Sequence, residues 1–282
     1  MKIVSISDGS STHCALDLGS ELAPMTAAAG FPASTRQLIQ NWSELRSRID
    51  IQNPDRISKT EVEVNAPITD PGKIICIGKN YAKHAQEMGS DPPSIPVVFS
   101  KFNSAISAPD AKVFLPSISQ KVDFEAELVV VIGKQGRNID RDQAMSHVFG
   151  YCCGNDISAR DWQKEKPGGQ WLLGKTFDGF APLGPHIVTA DEIADPHSLN
   201  IELRLNGDVM QHSNTSHLIF PIDFLIAHLS KFVTLEPGDL IFTGTPAGVG
   251  AGRQPPVFLS DGDQLEVEIE GIGTLGTTIV GC

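Results

Sequence analysis

The sequence predicts a mainly β protein of the α+β class, with a small N-terminal α+β domain ahead of a larger, strand-rich domain. Short runs of alternating apolar and polar residues, bounded by Gly, Pro, Asn and Asp, fill most of the chain after residue 73. A connector punctuated by Pro and Gly at residues 65–72 separates the two parts. We therefore predict domains at 1–66 and 67–282. The few helical segments do not alternate regularly with strands, which excludes a doubly wound sheet.

The first domain carries little concentrated chemistry. Residues 2–7 and 14–18 have the composition of strands around a turn at Asp8 and Gly9. Residues 34–49 have the apolar spacing of an amphipathic helix.

The second domain begins with a buried strand at residues 73–77 and a helix predicted over 81–88, with Asn80 as its N-cap. His84 and Glu87 stand three apart and face the same side of this helix. A carboxylate beside an imidazole orients it, as a general base requires. An exposed helix pair has the same spacing, so both interpretations stay open.

Residues 122–132 place Asp123, Glu125 and Glu127 on one face of a predicted strand. Like charges on one face repel, and burying them requires compensation. A hard divalent cation such as Mg²⁺, Mn²⁺ or Ca²⁺ would supply it, whereas Zn²⁺ favours His and Cys. Asp156, near a strand end, is a candidate third ligand. The alternatives are a solvated acidic face and, for Asp156, a helix cap.

Residues 169–176 match the P-loop pattern, but the match is rejected because Trp and two Leu fill the loop and no helix can follow it. Lys175 instead becomes a candidate for stabilising an oxyanion. Further along, we predict a helix at 138–147 begun by Asp140, a hairpin at Asn206 and Gly207, and a helix at 222–232. The glycine-rich loop 243–250 permits close approach to a ligand, and strands follow at 264–269 and 273–280.

Composition excludes several classes of partner. The chain has 282 residues and a formal net charge of −12, and its pI is about 5.0. This charge argues against nucleic acid and anionic membrane surfaces. No apolar run reaches the length of a membrane span. Five cysteines without a Cys-x-x-Cys motif indicate a reducing compartment, and we expect the cytoplasm.

Several stretches together resemble the fumarylacetoacetate hydrolase family, particularly its domain-containing protein 2 subgroup. The family stretches are residues 78–84, 123–127, 154–161, 173–178 and 243–246, and their order and spacing match over 73–282. Residues 170–178 and 255–259 especially resemble the subgroup. The resemblance implies a mixed β-sandwich roll, a homodimer, and Mg²⁺, Mn²⁺ or Ca²⁺ held by Glu125, Glu127 and Asp156. It also implies catalytic and substrate-side roles for further residues. The catalytic set is His84, Glu87 and Lys175, and the substrate-binding set is Arg160, Gln163, Thr245, Gly244 and Tyr81.

One position departs from the family's ligand pattern. Several relatives have Asp where this chain has Lys83, so a water or the substrate would fill a fourth ligand position. Asp123 is not a ligand in the family motif, and we expect it to bond to a neighbour.

The resemblance implies an enzyme acting on a small anionic 2-oxo acid. Our leading hypothesis is metal-dependent hydrolysis of a C–C bond in a 1,3-dicarbonyl acid such as an acylpyruvate, with His84 as base. The same site would support oxaloacetate decarboxylation, keto-enol tautomerisation or isomerisation. From a different class, a metal-stabilised binding protein without catalysis stays possible.

Overall fold

The computed structural model describes residues 1–9, 11–49 and 55–281. The N-terminal part contributes strands β1 (Lys2–Ser7), β2 (Thr12–Asp17) and β3 (Glu21–Met25), helices α1 (Thr35–Gln40) and α2 (Trp42–Leu45), and strands β4 (Ile57–Ser58) and β5 (Glu63–Asn65). Short 3₁₀ turns lie at Ala27–Ala29, Arg46–Arg48 and Lys59–Glu61.

The middle of the chain carries most of the elements around the site. In order they are β6 (Ile74–Gly78), α3 (Ala82–Glu87), β7 (Val97–Ser100), β8 (Ile106–Ser107), β9 (Lys112–Phe114), β10 (Val122–Asp123), β11 (Ala126–Ile132), β12 (Val148–Asn155), β13 (Ser158–Ala159), α4 (Trp171–Lys175) and β14 (Ala181–Thr189). A π-helical turn, Asp161–Glu165, precedes α4, and 3₁₀ turns lie at Asn103–Ala105 and Ala144–His147.

The C-terminal part adds β15 (Asn200–Leu205), β16 (Asp208–Asn214), α5 (Ile222–Leu229), β17 (Leu240–Phe242), β18 (Gln264–Ile269) and β19 (Gly273–Val280). Its 3₁₀ turns are Ala190–Glu192, Thr215–His217 and Gly250–Gly252.

Twelve of the described strands form one mixed sheet, ordered β4-β3-β2-β1-β14-β12-β11-β17-β6-β7, with β5 on β1 and β8 on β14. Five others form a second sheet, β16-β15-β18-β19-β9, and β10 pairs with β13. The β17–β6, β14–β8 and β19–β9 pairs are parallel, and the others are antiparallel. The mainly β class with mixed sheets is confirmed. The domain boundary at residue 67 stays a prediction, and β1 pairs directly with β14 across it.

Strand β11 is apolar along most of its length because both of its faces are buried. Leu128, Val130 and Ile132 face a core shared with the second sheet and α5. Val129 and Val131 face a second core that includes residues of α1 and α2. A strand between two layers loses the polar alternation of a half-exposed strand.

Several predicted elements are confirmed by the structure. The strands at 264–269 and 273–280 are present, and β15 and β16 pair around Asn206 and Gly207. Both turn residues have positive φ, 53° and 86°, as a type I′ turn requires. Helix α5 is also present, and it ends at Leu229. No helix within the described residues is long and apolar enough to cross a bilayer.

Three local predictions are wrong. The helix predicted over 34–49 is broken at Asn41 into α1 and α2. Residues 138–147 contain a 3₁₀ turn rather than an α-helix. Asn80 does not cap α3, because Tyr81 occupies the N-cap position.

Candidate active site

Three buried carboxylates, those of Glu125, Glu127 and Asp156, converge so that their ligand oxygens lie within 4.8 Å of one another. The sheet register explains this convergence. Glu125 and Glu127 lie on either side of Ala126, which pairs with Asn155 of the antiparallel neighbour β12, and Asp156 follows Asn155 directly. All three side chains are at least about 95% buried. The solvated acidic face is therefore the wrong alternative.

This donor set fits a hard divalent cation, which prefers carboxylate oxygens. Burial, followed by the negative charges of Asp156 and Glu125, raises the pKa of Glu127 well above its ordinary value. A divalent ion would remove this penalty by neutralising the repulsion among the three carboxylates.

The glycine-rich loop after β17 contributes a hydrogen bond to the same cluster. The backbone N–H of Gly244 donates to Oε2 of Glu127 at 2.7 Å. Gly244 has φ of +107°, and a Cβ added there would lie 2.6 Å from the Cβ of Asn80. Asn80 also donates to the carbonyl of Thr243 at 2.7 Å. The Asn80 side chain therefore holds this loop against the site instead of capping a helix.

Lys175, at the end of α4, lies between two of the carboxylates. Its Nζ donates to Oε2 of Glu125 at 2.6 Å and to Oδ2 of Asp156 at 2.7 Å. Burial acts to lower the pKa of Lys175, but the charges of Asp156 and Glu125 outweigh it, so the pKa is raised. Lys175 is therefore a cation in direct contact with the carboxylate cluster, consistent with its predicted position beside a metal.

Lys101 contacts Asp156, and the sequence did not identify it as a residue of the site. Its Nζ contacts Oδ1 of Asp156 at 2.7 Å and donates to the carbonyls of Ile157, Phe180 and Lys175. The side chain is fully buried. Burial lowers the pKa of Lys101, although the charge of Asp156 opposes this effect. A lysine directly after a short strand gives no sequence signal for such a position.

Whereas Lys101 contacts the cluster through Asp156, Arg160 contacts it through Glu125. Its Nε donates to Asp123 at 2.8 Å, and its Nη1 contacts Glu125 at 2.7 Å and Gln163 at 3.1 Å. Asp123 also accepts from the N–H of Gly250, which agrees with the expectation that it bonds to neighbours. The Arg160 Nη2 is buried without a hydrogen-bond partner among the described residues. It is a free donor beside the carboxylates.

His84 and Glu87 form the predicted pair on α3. The Nδ1 of His84 lies 3.4 Å from Oε2 of Glu87, and Glu87 accepts from the N–H of Gly248. His84 is 95% buried, so the alternative of an exposed helix pair is wrong. With Nδ1 directed at Glu87, Nε2 is the nitrogen available to a substrate.

These groups border one small pocket with a volume of about 40 Å³. Its lining consists of Ile77, Gly78, Lys79, His84, Met88, Phe99, Glu125, Glu127, Arg160, Gln163, Lys164, Trp171, Lys175 and Thr245. Seven of the predicted site residues are in this lining. Glu87 contacts the pocket residue His84, and Asp156 contacts the pocket residue Lys175. Gly244 contacts the pocket residue Glu127 through its backbone N–H. Tyr81 lines a different cavity, next to Pro246.

Residues 73–280 match the family described as Fumarylacetoacetate (FAA) hydrolase C-terminal. The chain is 52% identical over 235 residues to a Xenopus laevis protein named oxaloacetate tautomerase fahd2, mitochondrial, covering 83% of this chain and 73% of that protein. It is 51% identical over 224 residues to human oxaloacetate tautomerase FAHD2A, mitochondrial, covering 79% and 71%.

Solved structures agree with these relatives. Fumarylacetoacetate hydrolase from Exiguobacterium antarcticum superimposes with a TM-score of 0.89 and 36% identity, covering 100% of both chains. Maleylpyruvate hydrolase from Sphingobium sp. SYK-6, in complex with manganese(II) and pyruvate, gives 0.83 and 32%, covering 100% of this chain and 99% of that one. Because these relatives are enzymes, the alternative of a non-catalytic binding protein loses its support. The chain belongs to the fumarylacetoacetate hydrolase family of enzymes.

Proposed function

We propose that this enzyme interconverts the keto and enol forms of a small 2-oxo acid of the oxaloacetate type, with a divalent cation. The observation that carries the proposal is the buried pocket in which three carboxylates, Lys175, Arg160 and His84 meet. Relatives with 50–52% identity named oxaloacetate tautomerase support this reaction over the other reactions of the family.

Glu125, Glu127 and Asp156 would hold the cation, with Mg²⁺ or Mn²⁺ preferred and Ca²⁺ as the alternative. When bound, the ion supplies Lewis-acid stabilisation of negative charge on the 2-oxo oxygen. Arg160 offers its unpaired Nη2 to a substrate carboxylate. Lys175 is placed to share the charge of an enolate.

His84 is the proposed acid and base. Its Nε2 would accept a proton from C3 of the keto acid, leaving the electron pair in the enolate. Glu87 fixes the ring through Nδ1 and stabilises the imidazolium that forms. The imidazolium then passes this proton to the enolate oxygen, directly or through a water, which completes the enol and restores the neutral ring, and the reverse steps regenerate the keto acid.

Hydrolysis of a C–C bond, the leading hypothesis from the sequence, is the second candidate. The buried His84 and Glu87 pair favours it, because the same base would activate a water. The maleylpyruvate hydrolase structure, with 32% identity, gives further support. Decarboxylation of oxaloacetate needs no base of this kind.

Product analysis with Mg²⁺ or Mn²⁺ separates these reactions. The tautomerase proposal predicts faster loss of the ultraviolet absorbance of enol-oxaloacetate, without change in the total amount of the acid. Release of CO₂ and pyruvate at the same rate would indicate decarboxylation instead. Cleavage of an acylpyruvate into two acids, without tautomerase activity on oxaloacetate, would establish the hydrolase.

Two further properties stay predictions. The homodimer predicted from the family can be tested by sedimentation. The cytoplasmic location was predicted from cysteine usage, whereas several relatives carry "mitochondrial" in their names. Imaging of a tagged full-length chain would decide between the two compartments.

A further inference from the structure

Two lysines at the pocket have no role in the chemistry described above. Lys79 follows β6, and Lys164 lies in the π-helical turn Asp161–Glu165, far apart in the chain. Both line the same small pocket as His84 and Arg160. Neither ammonium has an ion-pair partner within 4 Å among the described residues, in contrast to Lys175 and Lys121. Two cations without acidic partners at one pocket are the usual arrangement for receiving an anion.

The local backbone brings both side chains to this place. Lys79 has φ of +57°, a left-handed conformation that is uncommon for residues other than glycine and concentrates at functional sites. Gln163 and Lys164, which are adjacent residues of the π-helical turn, both line the pocket, and such turns are frequent at functional sites. The Lys164 side chain is accessible to solvent although part of it is covered, so it lies at the rim of the pocket.

Arg160 and Lys79 both lie close enough to Lys164 to act on its charge. The pKa of Lys164 is lowered by partial burial first and then by the positive charges of Arg160 and Lys79, against the opposing effect of Glu125. This mutual repulsion costs free energy in the free enzyme. An anion bound between the lysines would relieve it.

The charge balance of the site points to the same ligand. Five carboxylates surround the pocket, those of Glu87, Asp123, Glu125, Glu127 and Asp156. Five cations face them, Lys79, Lys101, Arg160, Lys164 and Lys175. Counted by formal charge, these ten groups cancel, so a bound divalent cation leaves a formal surplus of two positive charges. A substrate with two carboxylates would neutralise this surplus, whereas a monocarboxylate would not.

We propose that Lys79 and Lys164 bind the distal carboxylate of the substrate and restrict the enzyme to dicarboxylic 2-oxo acids. This inference rests on the proposed function, because it assumes that the 2-oxo carboxylate end occupies the carboxylate cluster. The apolar side chains of Met88, Phe99 and Trp171 line the same pocket.

The test compares two ligands that differ in the charge of the distal carboxyl group and in one methyl group. 3,3-Difluoro-oxaloacetate has no C3 proton to remove, and its 4-methyl ester lacks the distal negative charge. Binding of each to the Mg²⁺-loaded protein is measured by calorimetry for wild type, Lys79→Met and Lys164→Met. Lys166→Met is the matched control, because Lys166 belongs to the same segment but lies over Trp162, outside the pocket.

We expect each pocket substitution to weaken binding of the dianion about tenfold, the low end for loss of a charge-assisted hydrogen bond. Binding of the ester should change less than twofold, Lys166→Met should match wild type, and Lys164→Arg should retain most of the affinity. Equal affinity of the dianion for wild type and both variants would overturn the proposal. Equal weakening of dianion and ester would also overturn it, because the lysines would then act on the metal end.

Neither ligand enolises, so this result does not depend on tautomerase activity. The enol-oxaloacetate assay could show no activity while the lysine variants still lose affinity for the dianion and not for the ester. This result would refute the proposed reaction but still support the site for the distal carboxylate.

Discussion

Replacement of Lys101 by Met tests whether the buried cation beneath Asp156 stabilises the carboxylate cluster. Methionine keeps most of the side-chain volume but removes the ammonium, which contacts one carboxylate oxygen and three backbone carbonyls. Breaking a buried ion pair by removing one partner typically costs about 3–5 kcal/mol. The metal-free protein should lose this amount from a total stability of the order of 5–15 kcal/mol.

Urea unfolding of the metal-free protein measures this loss, with Lys112→Met as the control. Lys112 lies exposed on β9, and its substitution should change the free energy of unfolding by less than about 0.5 kcal/mol. A loss below about 1 kcal/mol for Lys101→Met would refute the reasoning, because the ammonium would then contribute no more than a surface charge.

Three more outcomes are expected. His84→Ala should lower the catalysed rate about 10²- to 10⁴-fold and leave the Mn²⁺ dissociation constant unchanged in calorimetry, whereas loss of metal binding would show that His84 has a different role. Oxalate at a hundred times its dissociation constant should add about 2.7 kcal/mol of stability to the Mg²⁺-loaded protein, and no shift in melting temperature would indicate a closed structural site. Burial acts to raise the pKa of Asp17, but hydrogen bonds from His186 and Lys59 outweigh it and lower the pKa. The stability contributed by Asp17 is therefore full above about pH 4 and is lost as pH falls toward the lowered pKa. Asp17→Asn should destabilise the protein at neutral pH, with the difference from wild type shrinking below pH 4 in acid unfolding curves; a constant difference would contradict this.

The sequence predicts those parts of the fold in which local pattern and burial agree. Strands β18 and β19 alternate buried residues with more accessible ones along most of their length. Asn206 and Gly207 both adopt the positive φ angles that a two-residue type I′ hairpin turn requires. The helix over 34–49 fails because Asn41 interrupts it, donating its side-chain amide to the carbonyl of Gln37. A polar side chain that bonds to nearby backbone competes with the helix, and apolar spacing alone does not reveal it.

In the site, too, the sequence predicts the residues that a local pattern or motif identifies and misses those that only the tertiary fold brings together. The carboxylates of Glu125 and Glu127 are close in sequence, and Asp156 joins them through strand register, so a family motif and a strand pattern suffice to predict their meeting. Lys101 could not be predicted, because its role depends on β7 packing next to a turn some 55 residues away. The hydrogen-bond partners of the Asn80 side chain could not be predicted from the sequence either. Its amide bonds to Phe220 and Thr243, which only the tertiary fold brings near.

Calorimetric titration of Mn²⁺ into the metal-free protein tests whether the three buried carboxylates hold a divalent cation. We expect one ion bound per chain, with affinity lowered at least about tenfold in Glu127→Gln, because even residues that only support metal ligands typically contribute that much. Glu266→Gln, an exposed substitution on β18, should bind like wild type. Absence of binding by the wild-type protein, or equal affinity in Glu127→Gln, would contradict the assignment of a divalent-metal site to these carboxylates.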